Sequence, residues 1–78
     1  MQKWTATHKG NEIYVEKRRN ECMLYINGKI VDSQGGPYGG SLIGKMSSGE
    51  TVTANINSSL FGKSYCNIYV DKIKIFMG

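Results

Sequence analysis

The sequence has few of the residues on which catalysis and metal binding most often depend. It contains one histidine, His8, and only two cysteines, Cys22 and Cys66. Two cysteines this far apart are too few for a disulfide scaffold and lack the paired spacing of a zinc site. The six carboxylates fall at turns or at outward strand positions, without the shared cleft that an acid and base pair needs. We therefore expect a protein that is not an enzyme, binds no cofactor or metal, and keeps both thiols reduced in its core.

Long hydrophobic runs are also missing. No apolar stretch approaches the roughly 18 to 20 residues of a membrane-spanning helix, and Met1 to Trp4 lead straight into a strand pattern, not a signal peptide. We expect a cytoplasmic protein without a membrane partner. The 78 residues leave room for one domain, residues 1–78, of a size at which a single core is only marginally sufficient.

Short alternating runs and turn residues make up most of the chain. Ten glycines, one proline and five tyrosines favour short strands and many turns. We predict an all-β fold, a single antiparallel β-sandwich or flattened barrel of seven or eight short strands joined mainly by hairpins. The predicted hairpins pair Lys3 to His8 with Glu12 to Arg18, Ser41 to Met46 with Glu50 to Ile56, and Ser64 to Val70 with Ile73 to Met77.

The central hairpin, Cys22 to Ser33, carries the strongest local signal. Asn27-Gly28 lies between alternating hydrophobic residues, and both turn positions of a type I′ turn need positive φ. A two-residue loop then pairs Leu24 with Val31 and Cys22 with Ser33. Leu24 and Val31 therefore share the predicted core face with Cys22 and Ile26.

The register of the two later hairpins follows from burial. A three-residue loop at Ser47-Ser48-Gly49 pairs Leu42 with Ala54 and brings the apolar residues together. A two-residue turn at Asp71-Lys72 pairs Ile68 with Ile75 and Cys66 with Met77. The core predicted in this way consists of Trp4, Ile13, Val15, Cys22, Leu24, Val31, Leu42, Val52, Ala54, Ile56, Cys66, Ile68, Val70 and Ile75.

Two stretches interrupt the alternation. Gln34 to Gly40 contains four glycines around Pro37, and we predict a loop there, because glycine and proline are unfavourable inside a sheet. It is either a binding loop with Tyr38 at its tip or a wide connection between sheets. Asn57 to Lys63 is the second predicted connection, with Leu60 and Phe61 against the edge of the core.

Aromatic side chains recur at positions that the strand period turns outward. The candidate interaction surface consists of Tyr14, Tyr25, Tyr65, Tyr69, Lys74 and Phe76, with Met23 and Ile30 beside them. Cross-strand tyrosines can simply stabilise an exposed sheet face, or they can form a contact surface, since tyrosine is enriched at protein interfaces. We predict a non-catalytic protein-interaction module that self-associates or docks through these rings.

A small β-barrel that binds single-stranded nucleic acid is the alternative. Bases could stack on the same rings, with cations from Lys74 and the turn at Lys17 to Arg19. The net charge of +4 is modest, and apart from that turn the basic residues are scattered, whereas a nucleic-acid binder usually shows a basic stripe.

A series of short motifs resembles a known family. They are His8-x4-Ile13-x-Val15-Glu16, then Leu24-Tyr25-Ile26-Asn27-Gly28-Lys29, then Leu42-x-Gly44, and finally Cys66-x-Ile68-x-Val70-Asp71. This outline resembles a group of small uncharacterised bacterial β proteins and one domain of the Fas apoptotic inhibitory molecule family. The resemblance implies a compact antiparallel β-sandwich without known catalysis, and it transfers no site residues.

Overall fold

Two antiparallel sheets make up the fold in the computed structural model, which describes residues 2–37, 39–58 and 62–78. The first sheet contains β1 (Gln2–His8), β2 (Asn11–Lys17), β3 (Glu21–Ile26) and β4 (Lys29–Gly35), in that order. The second contains β5 (Gly39–Lys45), β6 (Thr51–Ser58), β7 (Ser64–Val70) and β8 (Ile73–Met77), again in chain order. The predicted all-β sandwich of short hairpin-linked strands is confirmed. Within the described ranges no helix is long and apolar enough to cross a membrane.

The core lies between the inner faces of the two sheets. Alternate residues of each central strand are buried, as the period of two predicts, and the cluster draws on both sheets. Every predicted core residue is buried except two: Val31 is 37% exposed, and Ile75 is half-buried at the edge of the cluster. Ile26, on the predicted core face, is buried in the core as well, and the structure adds Met46 to it.

Beta-bulges explain why Val31 and Ile75 are not fully buried. In the hairpin of β3 and β4, Tyr25 pairs with Ile30 but Leu24 pairs with Asp32, so the predicted pairing of Leu24 with Val31 is wrong. Each bulge puts one extra residue into the outer strand, and every later side chain changes face. Cys22 consequently pairs with Gln34 instead of Ser33.

The hairpin of β7 and β8 contains the same irregularity. Tyr69 pairs with Lys74 as expected, but Ile68 pairs with Phe76, not with the predicted Ile75. Met77, predicted to face Cys66 in the core, is 75% exposed. The backbone of Cys66 instead exchanges two hydrogen bonds of 2.9 Å with Gly78.

The glycine-rich connection is shorter than predicted. The strands extend into the expected loop from Gln34 to Gly40, since β4 continues to Gly35 and β5 begins at Gly39. A Cβ on Gly40 would lie 2.2 Å from the Gln34 Oε1 atom, so a larger residue here would displace the end of that side chain. Tyr38 lies outside the described residues, as do Leu60 and Phe61. In the second predicted connection, Asn57 and Ser58 belong to β6.

The two sheets repeat one pattern of pairing. Lys17 pairs with Cys22 in the first sheet, and Ile56 pairs with Cys66 in the second. The correspondence includes both bulges, which follow Leu24 and Ile68. The fold therefore consists of two similar four-strand units whose inner faces pack together, and paired strand residues of one unit have counterparts in the other.

Candidate interaction surfaces on the two outer faces

The predicted aromatic surface is divided between the two sheets. Tyr14 and Tyr25 lie on the outer face of the first sheet, whereas Tyr65, Tyr69 and Lys74 lie on the outer face of the second. Because the inner faces pack on each other, the outer faces point in opposite directions. One partner surface therefore cannot contact all these rings through a flat interface.

Phe76 belongs to neither outer face. The prediction that it points outward is wrong, because the bulge places it opposite the buried Ile68, where it packs against the core. The interaction surface therefore loses one of its predicted rings.

On the first sheet, the rings are already bonded within the chain. The ring centroids of Tyr14 and Tyr25 are 5.3 Å apart, with an interplanar angle of 59°, and such tilted pairs are favourable. The Tyr14 hydroxyl donates a hydrogen bond of 2.7 Å to Glu16 Oε1. Arg18 Nε donates to the other carboxylate oxygen of Glu16. Glu16 is only 6% exposed although its strand position points outward.

This bonding perturbs the ionisation of both partners. The hydrogen bond from Tyr14, followed by that from Arg18, holds the pKa of Glu16 below its usual value. The same bond raises the pKa of the Tyr14 hydroxyl, because an ionised phenol could not donate to the carboxylate. The network favours a charged Glu16 beside a neutral Tyr14.

Met23 is the other outward residue that this face buries. It is 6% exposed, and its Sδ atom lies 3.5 Å from the Tyr25 hydroxyl. Tyr25 thus covers Met23 in the way that Tyr14 and Arg18 cover Glu16. The tyrosines of the first-sheet face therefore already have partners, while Ile30, which pairs with Tyr25, is 50% exposed at its edge.

The basic turn at Lys17 to Arg19 is partly engaged in the same way. The Lys17 ammonium donates a hydrogen bond of 2.9 Å to the carbonyl of Arg18, and the residue is 8% exposed. The Arg18 guanidinium pairs with Glu16 and lies 3.3 Å from Glu21 Oε1. Two of the three cations of this turn, which was proposed for nucleic-acid contact, are therefore held by the chain itself.

The outer face of the second sheet is open by comparison. Tyr65 is 52% exposed and Ile43 is 55% exposed. The Lys74 ammonium lies 5.8 Å from the centroid of the Tyr69 ring, a favourable cation–π distance. We call this surface the second-sheet face. None of its strand positions carries an acidic residue. Its members are Ser41, Ile43, Lys45, Thr51, Thr53, Asn55, Asn57, Tyr65, Asn67, Tyr69, Lys74 and Met77.

A cleft opens at one corner of this face. It has a volume of about 280 Å³ and is lined by Thr51, Thr53, Asp71 and Lys72. The Asp71 carboxylate, part of this lining, accepts a hydrogen bond of 2.9 Å from the Thr51 N–H through Oδ1. Thr53 pairs directly with Tyr69, so the cleft adjoins that tyrosine.

Both cysteines lie in the core and are free. Burial raises the pKa of Cys66 to about 12 and also raises that of Cys22. In the parts of the chain that the structure describes, no three His, Cys, Asp or Glu side chains are grouped so that they could hold a metal ion.

Comparison with known proteins adds no relative: no family model, curated protein or solved structure matches this chain. The resemblance to the Fas apoptotic inhibitory molecule family stays a prediction, and the functional argument rests on the two faces.

Proposed function

We propose that the protein is a non-catalytic protein-interaction module that docks through the second-sheet face. One contrast carries the proposal: the tyrosines of the first sheet have partners within the chain, whereas Tyr65 extends from the second sheet into solvent. Tyrosine, serine and asparagine are also the residues that recognition surfaces favour, since they combine rigid contact area with adaptable hydrogen bonding. The second-sheet face presents two tyrosines, three asparagines and one serine.

Charge favours an acidic partner over a second copy of the chain. The second-sheet face presents Lys45 and Lys74 and no carboxylate from its strands. A two-fold dimer brings the same patch of both subunits together, so these cations would have no opposite charge to meet. A partner protein with exposed carboxylates would complement them. We place this docking in the cytoplasm, where a protein with two free thiols keeps them reduced.

Binding of single-stranded nucleic acid is the second candidate. Tyrosine rings with adjacent lysines and no strand carboxylate also suit bases and phosphates. The engaged cations at Lys17 and Arg18 count against a continuous basic stripe. Salt separates the candidates, because phosphate contacts weaken steeply as salt rises.

Matched lysine variants test the proposal. The wild-type protein and variants Tyr65→Ala, Lys74→Ala and Lys3→Ala are immobilised, and extract of the source cell, with and without nuclease treatment, is passed over each at two salt concentrations. Lys3 is an exposed lysine on the first-sheet face, so Lys3→Ala is the control for Lys74→Ala.

We expect the wild type and Lys3→Ala to retain the same acidic proteins, and Tyr65→Ala to bind them about tenfold more weakly, as at an interface hot spot. Equal capture by all four proteins would contradict docking through this face. Capture of nucleic acid alone, lost after nuclease treatment, would favour the second candidate.

A further inference from the structure

Building on the proposed function, we infer that the acidic partner inserts an aromatic side chain beside Tyr69, above Thr53, with its neighbouring carboxylates directed toward Lys72 and Lys74. The first sheet of this chain already shows such an arrangement, with both rings supplied by the protein itself.

Comparison of the two four-strand units shows which aromatic ring the second sheet lacks. Tyr14 pairs with Tyr25 in the first sheet, and the corresponding pair in the second sheet is Thr53 with Tyr69. One tyrosine is the same in both units, while the other is replaced by a much smaller threonine. Tyr69 therefore lacks, on the β6 side, the ring that Tyr25 has at 5.3 Å.

The space next to Thr53 suits a side chain with a polar tip. The cleft of about 280 Å³ is close to the lower end of the size range of ligand pockets, which fits one residue better than a large ligand. Two threonine hydroxyls line it and can donate or accept hydrogen bonds. Thr53 also pairs with Tyr69, so a tyrosine placed over Thr53 would have the Tyr69 ring beside it and the cleft's hydroxyls as partners for its own.

Charges around the cleft favour a peptide over a nucleotide. Lys72 lines the cleft, and the Lys74 ammonium lies over the Tyr69 ring, so carboxylates on either side of the inserted ring have cations within reach. The Asp71 carboxylate also lines the cleft. It would repel a phosphate placed in the cleft, whereas the peptide places only its tyrosine there, whose hydroxyl can donate to Asp71. The carboxylates of the peptide lie outside the cleft, toward the two lysines.

A short peptide tests the inference directly. The probe is a capped pentapeptide with one central tyrosine between two pairs of glutamates, and its control has alanine in place of the tyrosine. Amide chemical shifts of the labelled protein report binding. We expect saturable shifts at Thr53, Tyr69 and Lys72, with at least fivefold weaker binding of the alanine peptide.

A variant that fills the cleft, with a control substitution in the first sheet, tests the same inference. Thr53→Tyr copies the ring pair of the first sheet into the second, and we expect it to weaken peptide binding at least fivefold. Tyr14→Phe keeps the ring of the first sheet and should bind the peptide like the wild type. Should Thr53→Tyr fail to fold, Tyr69→Leu removes the stacking surface and should give the same loss.

Equal binding of the tyrosine and alanine peptides, or unchanged binding by both Thr53→Tyr and Tyr69→Leu, would overturn the inference. Tighter binding of oligothymidylate at the same amides would overturn it as well. If these results were obtained and Tyr65→Ala still weakened capture of the partner, the inference of an inserted ring would be wrong. Docking through the second-sheet face would still be supported.

Discussion

Asn27 and Asp71 make the same contacts in the two halves of the protein. The Asn27 Oδ1 atom accepts a hydrogen bond from the Glu12 N–H, and the Asp71 Oδ1 atom accepts one from the Thr51 N–H, both at 2.9 Å. In return, the Asn27 N–H donates to the carbonyl of Glu12, and the Asp71 N–H donates to the carbonyl of Thr51. Each turn between the last two strands of a sheet is therefore fastened to the preceding hairpin by its first residue.

The second residue of each turn provides a matched stability test. Gly28 has a φ of 80° and Lys72 a φ of 72°, a region that costs a residue with a side chain about 1 to 2 kcal/mol. We expect Lys72→Gly to stabilise the fold by about 0.5 to 1 kcal/mol, after allowing for the chain entropy of glycine. Gly28→Lys should destabilise it by a similar amount. Urea denaturation measures both, and stabilisation by Gly28→Lys would contradict the argument.

Gly44 and Val31 should be energetically coupled across the two sheets. A Cβ on Gly44 would lie 2.5 Å from Val31 Cγ2 and 3.3 Å from Ile26 Cδ1. We expect Gly44→Ala to destabilise the protein by about 1 to 3 kcal/mol, the usual cost of overpacking. Val31→Ala alone should cost less than about 1 kcal/mol, because Val31 is 37% exposed.

The double variant distinguishes a clash from a backbone effect. Val31→Ala removes the atom that Gly44→Ala would meet, so the two changes together should cost less than the sum of the single changes. Denaturation midpoints and slopes for the four proteins complete the cycle. If the two destabilisations were additive, the close approach to Val31 would not be the reason that position 44 requires glycine.

Both thiols should resist modification in the folded protein. Burial raises the pKa of Cys66 to about 12, and the reactive species is the thiolate. At pH 8 we expect a disulfide reagent to label neither cysteine in native protein and both in denaturant. A pKa raised above the ordinary value of 9.0 means that the stabilisation is present below pH 9 and is lost as pH rises toward 12. Rapid labelling at pH 8 would show that the core opens readily.

Strand alternation and turns were sufficient to predict most of the fold. Asn27-Gly28 identified its turn because the sequence leaves few other conformations for that pair. The bulges could not be predicted in this way. Ile30 and Val31 are both apolar, so the pattern does not show which of them is the extra residue, and Ile75 with Phe76 presents the same ambiguity.

The candidate surface was predicted less well, for a related reason. The strand period tells which side of its own sheet a residue faces, but not which sheet covers that side. Tyr25 and Tyr69 were therefore assigned to one surface although they lie on different sheets. A sequence signal for this was present: Cys22-Met-Leu-Tyr-Ile-Asn27 and Cys66-Asn-Ile-Tyr-Val-Asp71 share one pattern and indicate the repeated unit.

The hydrogen bonds of Glu16 should make the stability of the fold depend on pH in the acidic range. Hydrogen bonds from Tyr14 and Arg18 lower the pKa of Glu16 below its ordinary 4.5. A group whose pKa is lowered by folding stabilises the protein above its unfolded pKa, and this contribution is lost as pH falls through the folded value. We therefore expect the free energy of unfolding to decrease as pH falls below about 4.5.

Two hydroxyl deletions test whether this loss comes from Glu16. Tyr14→Phe keeps the ring stacked on Tyr25 but removes the donor to Glu16, so it should lower stability at pH 7 and flatten the acid response. Tyr25→Phe is the control, because its hydroxyl contacts Met23 Sδ and no carboxylate. Urea denaturation at closely spaced pH values from 7 to 3 compares both with the wild type. An equally steep acid response in Tyr14→Phe would mean that the hydroxyl of Tyr14 does not hold Glu16 in its charged form.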